Sequence, residues 1–385
     1  MVAFLDFALR TRIVAGPGSV ARVGALANEL GVVRAFLVSD PGVAAAGHAD
    51  RVRSLLVERG IEVRSFEAVC DNPTTADVAA CLRAVGDFQL DLFVAVGGGS
   101  AMDVAKACNL LRAGGGAVED YWGSGKARGA LAPMIAIPTT AGTGSEVQSF
   151  ALIAKQATHQ KMACGDPGLA PKIAILDAEL TVTLPEFVTI CTGLDTIGHA
   201  VETAVTSGRN AMSLLYSTAA LERAAHALPR VLDAPGDLAQ RGAMLEAACF
   251  AGIAIENSML GAAHALANPL TAHDDIPHGL AVGLMLPHVV RFNAVDADVE
   301  ALYDELARSA GIAGSLADAL DRLLDRCGLK RSLRAHGVDP AELPDLAREA
   351  AAQWTAQFNP RRVDEGLLCT LYRRALGARR PPSRE

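Results

Sequence analysis

Five apolar residues, Leu92-Phe93-Val94-Ala95-Val96, run straight into Gly97-Gly98-Gly99-Ser100, and a helical pattern follows with Asp103 and Lys106 in its first turns. A buried strand, a glycine loop and a helix start in that order constrain the chain more than any other feature. Glycines let a backbone approach a phosphate closely, and a helix start offers free N–H groups and the positive end of a dipole. A plain tight turn is the alternative, because Gly-Gly-Gly-Ser is not the G-x-G-x-x-G dinucleotide fingerprint.

The same texture repeats on either side. Strand-like runs at 32–39, 63–66, 133–137 and 173–176 alternate with helical patterns at 43–59, 75–85 and 101–112. Alternation of this kind builds βαβ units and a mostly parallel sheet. Ligands in such sheets bind beyond the carboxyl ends of the strands. After Pro185 the strand-like runs disappear and Ala- and Leu-rich helical periodicity takes over. The expectation is an α/β dinucleotide-binding domain over 1–183 and an all-α domain over 184–385, with a frayed tail over 379–385. A length of 385 residues suits two or three domains at about 150 residues each.

Composition excludes several classes. There are 35 basic against 43 acidic residues, and aromatics make up 4%. That balance offers neither phosphate neutralisation nor base stacking, so no nucleic-acid partner is expected. The Arg-rich end (Arg373, Arg374, Arg379, Arg380, Arg384) is too short to change this. The longest weakly polar stretch, 242–270, is broken by Glu246, Glu256, Asn257 and His264, so buried helices are expected rather than a membrane span. Residues 1–12 carry Asp6 and no secretory pattern. The eight cysteines are scattered without a C-x-x-C pair, as expected of reduced core thiols in a cytoplasmic protein.

Three further segments bear on a ligand. Gly16-Pro17-Gly18-Ser19-Val20-Ala21 matches G-x-G-x-x-A, but its proline and the very short run before it read as a turn into the first helix. Pro138-Thr139-Thr140-Ala141-Gly142-Thr143-Gly144-Ser145-Glu146 is rich in small donors, suited to a pyrophosphate or a ribose, or else to an ordinary capped turn. Asp40 ends the strand at 39, where a carboxylate accepts from adenosine ribose hydroxyls or caps the turn Asp40-Pro41-Gly42. Beside a 2′-phosphate it would cost of order 4 kcal/mol per unit charge at about 4 Å and an effective dielectric near 20, which favours NAD over NADP.

In the second half, Gly193-Leu194-Asp195-Thr196-Ile197-Gly198-His199 puts Asp195 and His199 on one helix face at i and i+4. His264 and His278 lie further on. One carboxylate and three imidazoles suit Fe(II) or Zn(II), although a lone histidine in an apolar helix is usually structural. Between Gly242 and Val290 there is no Lys or Arg. That stretch offers no fixed cation to a phosphorylated substrate, whereas a small neutral alcohol or aldehyde needs none.

Jointly these residues resemble the iron-containing (group III) alcohol dehydrogenases, of dehydroquinate synthase-like fold. The resemblance rests on Gly97 to Ser100 with Asp103 and Lys106, Pro138 to Glu146, Asp195-x-x-x-His199, His264 and Pro277-His278-Gly279. It implies that Asp195, His199, His264 and His278 hold the metal. It implies that Asp40, Asn72, Gly98, Gly99, Ser100, Asp103, Thr139, Thr140, Thr143, Lys161 and Leu180 contact NAD. It further implies a homodimer that acts on a small alcohol or aldehyde.

One departure stands out. The family commonly carries a histidine one helical turn after the third ligand, and here that position is Asn268. The resemblance implies a cleft between the two halves, which Asn268 would face without carrying a proton near neutral pH, and His273 is the nearby candidate to substitute. Two other activities fit part of the pattern. One is a dehydroquinate synthase-like lyase or cyclase using NAD transiently, and the other is a hydroxyacid–oxoacid transhydrogenase. A metal- and nucleotide-binding protein without catalysis is the third alternative.

Overall fold

The computed structural model describes residues 5, 7–158 and 160–377. The expectations for the first residues and for the tail at 379–385 lie outside the described residues. Six strands form one all-parallel sheet: β1 (Arg12–Ala15), β2 (Arg34–Val38), β3 (Glu62–Phe66), β4 (Leu92–Gly97), β6 (Met134–Pro138) and β9 (Ile173–Leu176), in the order β1-β9-β6-β4-β2-β3. Helices α1 (Val23–Glu29), α2 (Pro41–Ala45), α3 (His48–Val57), α4 (Thr75–Val85) and α5 (Gly99–Gly114) connect them. β4 is buried at every residue, which is why it reads as an unbroken apolar run.

Most strands and helices lie where the periodicity put them. The helix expected over 43–59 is two helices, α2 and α3, because Gly47 turns left-handed between them (φ 80°). The run at 13–15, very short for a central strand, lies at the sheet edge as β1, paired with β9. A second, three-stranded sheet was not anticipated. It consists of β5 (Gly123–Ser124), β7 (Phe150–Ala154) and β8 (Lys161–Gly165). Its strands are short and hold one β-branched residue between them, Ile153, so they lack the β-branched signature.

The central strands position the site. β4 and β6 pair in register so that Gly97 lies opposite Pro138. The glycine loop and the Thr-rich loop therefore leave the sheet side by side at its carboxyl edge, where parallel sheets bind ligands.

After residue 185 the elements are α6 (Glu186–Thr203), α7 (Ala211–Asp233), α8 (Leu238–Asn257), α9 (Ala262–His273), α10 (His278–Asn293), α11 (Ala297–Ser309), α12 (Leu316–Arg326), α13 (Leu343–Ala351) and α14 (Glu365–Leu376). They share a core in which Ile197, Leu228, Leu266 and Leu286 are buried. By length and composition alone α8 could cross a membrane, but most of its apolar residues, such as Leu245 and Ile253, pack inside this core. All eight cysteines are free thiols.

Candidate active site

Gly98 is the N-cap of α5, and Gly99 opens the helix with Ser100 in its first turn. A Cβ on Gly99 would lie 2.7 Å from Thr143 Cγ2, and one on Gly98 would lie 3.3 Å from Thr140 Oγ1. The glycines are thus what allows the Thr-rich loop to lie across the start of α5. Thr139 donates its N–H to the Gly97 carbonyl at 3.0 Å, and its buried hydroxyl has no partner. Of the two roles the sequence allowed, the structure shows the cap, and it leaves the second oxygen of Asp40 beside the glycine loop. Asp40 Oδ1 accepts from Val43 N at 2.9 Å and caps α2, while its Oδ2 lies 3.1 Å from where a Gly97 Cβ would be.

The other positions assigned to NAD by resemblance are more scattered. Asn72 is an exposed turn residue with φ 49°. The Leu180 side chain is buried among Val14, Val20 and Ile175, so only its main chain is available to a ligand. The Gly16-Pro17-Gly18 loop is a structural turn. The Asp177 carboxylate accepts from Gly18 N and Val20 N at 3.0 Å each, so an anion of the protein itself takes up those donors.

Beneath the loops lies a buried polar knot. Lys106 donates to Ser145 Oγ and O at 2.7 Å and to Phe150 O at 3.0 Å. Both Asp103 oxygens are engaged by protein, accepting from Ser145 Oγ at 2.8 Å and Leu152 N at 3.2 Å. The knot ties α5 to the Thr-rich loop and β7.

Glu146 closes the same loop, with Oε1 buried and unpartnered. Burial pushes its pKa up from 4.5 to about 7. Between those values the folded state holds more protons than the unfolded state, so this group's contribution to stability falls as pH rises through that window. Glu146→Gln should therefore stabilise the fold by about 3 kcal/mol at pH 8 and by almost nothing at pH 4.5. Urea denaturation at the two pH values checks this, and an equal effect at both would count against it.

The metal candidates converge. Asp195 and His199 come from α6, His264 from α9 and His278 from the first residue of α10. Asp195 Oδ1 lies 3.5 Å from His199 Nε2, 3.4 Å from His264 Nε2 and 3.8 Å from His278 Nε2. The His199 and His264 rings stack with centroids 4.7 Å apart. Asp195 Oδ1 and His264 Nε2 are buried with no hydrogen-bond partner. Unpaired polar atoms in such a place are costly unless something else satisfies them.

Donor atoms of Asp195, His199 and His264 lie within 4.8 Å of one another, a set that could hold a metal ion, and His278 completes a carboxylate-plus-three-imidazole set. Burial pushes the His199 pKa down to about 4 and that of His278 well below its usual range, so both are neutral and ready to ligate at neutral pH. The His264 pKa is raised to about 9: burial opposes protonation, but the Asp195 and Glu202 carboxylates outweigh it. Burial also opposes ionisation of Asp195, yet His199 and its neighbours hold its carboxyl well below the usual range.

The remaining expectations divide. Asn268 sits one turn beyond His264 and is half-buried, donating to Gln353 Oε1 at 3.1 Å. His273 does not substitute for it. The end of α9 carries His273 to the surface, where its Nε2 lies 2.8 Å from Glu349 and its side chain is 45% exposed. The Lys161 pKa is lowered by burial, against the opposing pull of the Asp195 and Asp103 carboxylates.

Two features escaped the sequence reading. Glu202 follows Asp195 and His199 on the same stripe of α6 and reaches His264 Nδ1 at 2.6 Å. The spacing i, i+4, i+7 on an otherwise apolar helix was the available signal. The other is an aromatic contact between the halves of the chain, Phe150 of β7 against Trp354, with centroids 5.8 Å apart. Sequence distance hid it.

Comparison with known proteins agrees with this geometry. The family model "Iron-containing alcohol dehydrogenase" matches residues 10–178, and the model of that family's C-terminal domain matches 189–376. Alcohol dehydrogenase 4 of Schizosaccharomyces pombe is 35% identical over 84% of this chain and 77% of its own length. The NAD-dependent methanol dehydrogenase of Bacillus methanolicus is 31% identical over 92% of this chain and 96% of its own. A crystal structure of 1,3-propanediol oxidoreductase superposes with a TM-score of 0.90 at 30% identity, covering 97% of this chain and 100% of that one. The chain belongs to the iron-containing alcohol dehydrogenase family, and is an NAD- and metal-dependent oxidoreductase acting on small alcohols and aldehydes.

Proposed function

We propose that Asp195, His199, His264 and His278 hold the metal, and that the substrate is a small neutral alcohol or aldehyde. The observation that carries this is Asp195 Oδ1, unpartnered and within 3.8 Å of three imidazole Nε2 atoms. When bound, the metal supplies Lewis acidity at the substrate oxygen and NAD takes or returns the hydride. The protein's own residues hold and orient. Gly98, Gly99, Ser100, Thr139, Thr140 and Thr143 form the cofactor's phosphate cradle, and Asp40 Oδ2 faces the ribose. Asn72, Asp103, Lys161 and Leu180 complete the cofactor set, Asp103 by tethering the loop rather than by direct contact.

Asn268 orients substrate through its amide and carries no proton near neutral pH. With His273 on the surface, neither residue moves a proton between substrate and solvent. The contact between Phe150 and Trp354 joins the α/β half (1–183) to the helical half (184–385). The absence of Lys and Arg over 242–290 argues against the phosphorylated substrate of a dehydroquinate synthase-like lyase. A cytoplasmic homodimer is part of this reading. Its location is supported by eight unpaired cysteines and its assembly by the family resemblance.

The test is absorbance at 340 nm. Protein is loaded anaerobically with Fe(II) or Zn(II), and chelator-treated protein is the control. Short alcohols, diols and the matching aldehydes are offered with NAD and with NADP. Metal-dependent change with NAD is expected. Asp40→Ser should keep the α2 cap, since serine caps well. It should also raise NADP use relative to NAD by about 100- to 1,000-fold, most of the repulsion of order 4 kcal/mol being removed. NADH binding without turnover on any substrate would refute the activity for these substrates, and an unchanged cofactor ratio would refute the role of Asp40.

A further inference from the structure

We propose that Glu202 is the positioning residue that sets the His264 ring for the metal, an inference that rests on the four-ligand reading above. Glu202 lies on α6 one turn after His199 and is 3% exposed. Its Oε2 sits 2.6 Å from His264 Nδ1 and accepts from Gly261 N at 3.0 Å, while its Oε1 accepts from Ala263 N at 2.6 Å. A single carboxylate from the helix of Asp195 and His199 thus grips both the start of α9 and the ring that α9 contributes.

The chemistry of that grip is directional. A carboxylate only accepts, so in the neutral ring it places the proton on Nδ1 and leaves Nε2 as a bare lone pair. Nε2 is the atom that faces Asp195 Oδ1 at 3.4 Å and has no hydrogen-bond partner. A charge-assisted bond to the far nitrogen also makes the ligating nitrogen more basic. The other rings are held differently. His199 Nδ1 meets the neutral Gly142 carbonyl at 3.2 Å, and His278 Nδ1 is buried without a partner. Of the three imidazoles, His264 is the one braced at Nδ1 by a full charge.

A purely structural capping role makes a different prediction, and the molecule contains its own control. Asn359 Oδ1 accepts from Ala262 N at 3.3 Å, so it steadies the same end of α9 without touching the His264 side chain. Co(II) affinity of the full-length apoprotein, read by chelator competition and by the Co(II) absorption bands, separates the two roles.

Glu202→Gln should weaken Co(II) by about 10- to 100-fold and shift its bands, leaving NADH affinity within about twofold. Asn359→Ala should lower the melting temperature and leave Co(II) affinity within about twofold. Should Glu202→Gln fail to fold, Glu202→Asp, which withdraws the charge by one methylene, must still weaken Co(II). Parent-like Co(II) binding in the Glu202 variant would overturn the proposal. So would a loss in Asn359→Ala equal to that in the Glu202 variant. Parent protein that binds no Co(II) would overturn the four-ligand reading and this inference with it. Unchanged binding in the Glu202 variant overturns this inference alone.

Discussion

Asp195→Ala is expected to strip the protein of its metal and its turnover while leaving NADH binding within about twofold of the parent. Asp195 is the one carboxylate in the set, and its Oδ1 is the atom on which three imidazoles converge. On the proposed four-ligand reading, the centre without it loses a ligand and the charge that would offset a divalent cation. At about 4 Å and an effective dielectric near 20 a unit charge pair is worth of order 4 kcal/mol, roughly a thousandfold in affinity. The glycine and Thr-rich loops proposed to hold NAD are on the other half of the chain, at the carboxyl ends of β4 and β6, so they should not feel the change. Metal content by elemental analysis and NADH fluorescence titration decide the matter together. Loss of NADH binding with full metal content would refute the assignment.

Gly279→Ala should damage both the fold and the metal centre. A Cβ on Gly279 would lie 1.9 Å from the Cys191 carbonyl oxygen and 3.1 Å from Asp195 Cβ. The first obstacle is the backbone of α6, which cannot swing aside as a side chain would. Helix α10 must retreat from α6, and His278, the preceding residue, retreats with it. Overpacking of this kind typically costs about 1–3 kcal/mol, and a backbone clash belongs at the upper end. Gly283, one turn on, gives the comparison: its added Cβ would meet the Leu194 side chain at 2.9 Å, which can shift. Gly283→Ala should therefore cost less stability and retain the metal. Calorimetry with and without Zn(II) reads both effects, and a Gly279→Ala variant with parental melting temperature and affinity would refute this account of the helix contact.

The α6–α10 contact also shows where sequence reading reaches its limit. The pairing of Asp195 with His199 is legible because an α-helix brings i and i+4 to one face whatever surrounds it. The step from strand to glycine loop to α5 is legible for the same local reason. The approach of α10 to α6 depends instead on Gly279 meeting a carbonyl 88 positions earlier in the chain, and nothing local to either helix announces it. The second sheet went unseen because its strands are short and poor in β-branched residues, whereas the Gly16-Pro17-Gly18 loop is the turn its proline indicated. It fits a phosphate fingerprint, yet Asp177 fills it from within the protein.

His273 and Asn268 illustrate the same division. Proximity in sequence made His273 a candidate substitute for the missing histidine, but five further residues carry it along α9 to a surface partner, Glu349. By itself the sequence determined the α/β and helical halves, the glycine and Thr-rich loops that follow β4 and β6, and the same-helix pair Asp195 and His199, because periodicity and capping act over a few residues. Tertiary structure alone decided that three helices meet at one carboxylate oxygen, that Glu202 braces His264 and that Phe150 meets Trp354. Those are contacts between distant segments, set by how complementary surfaces pack.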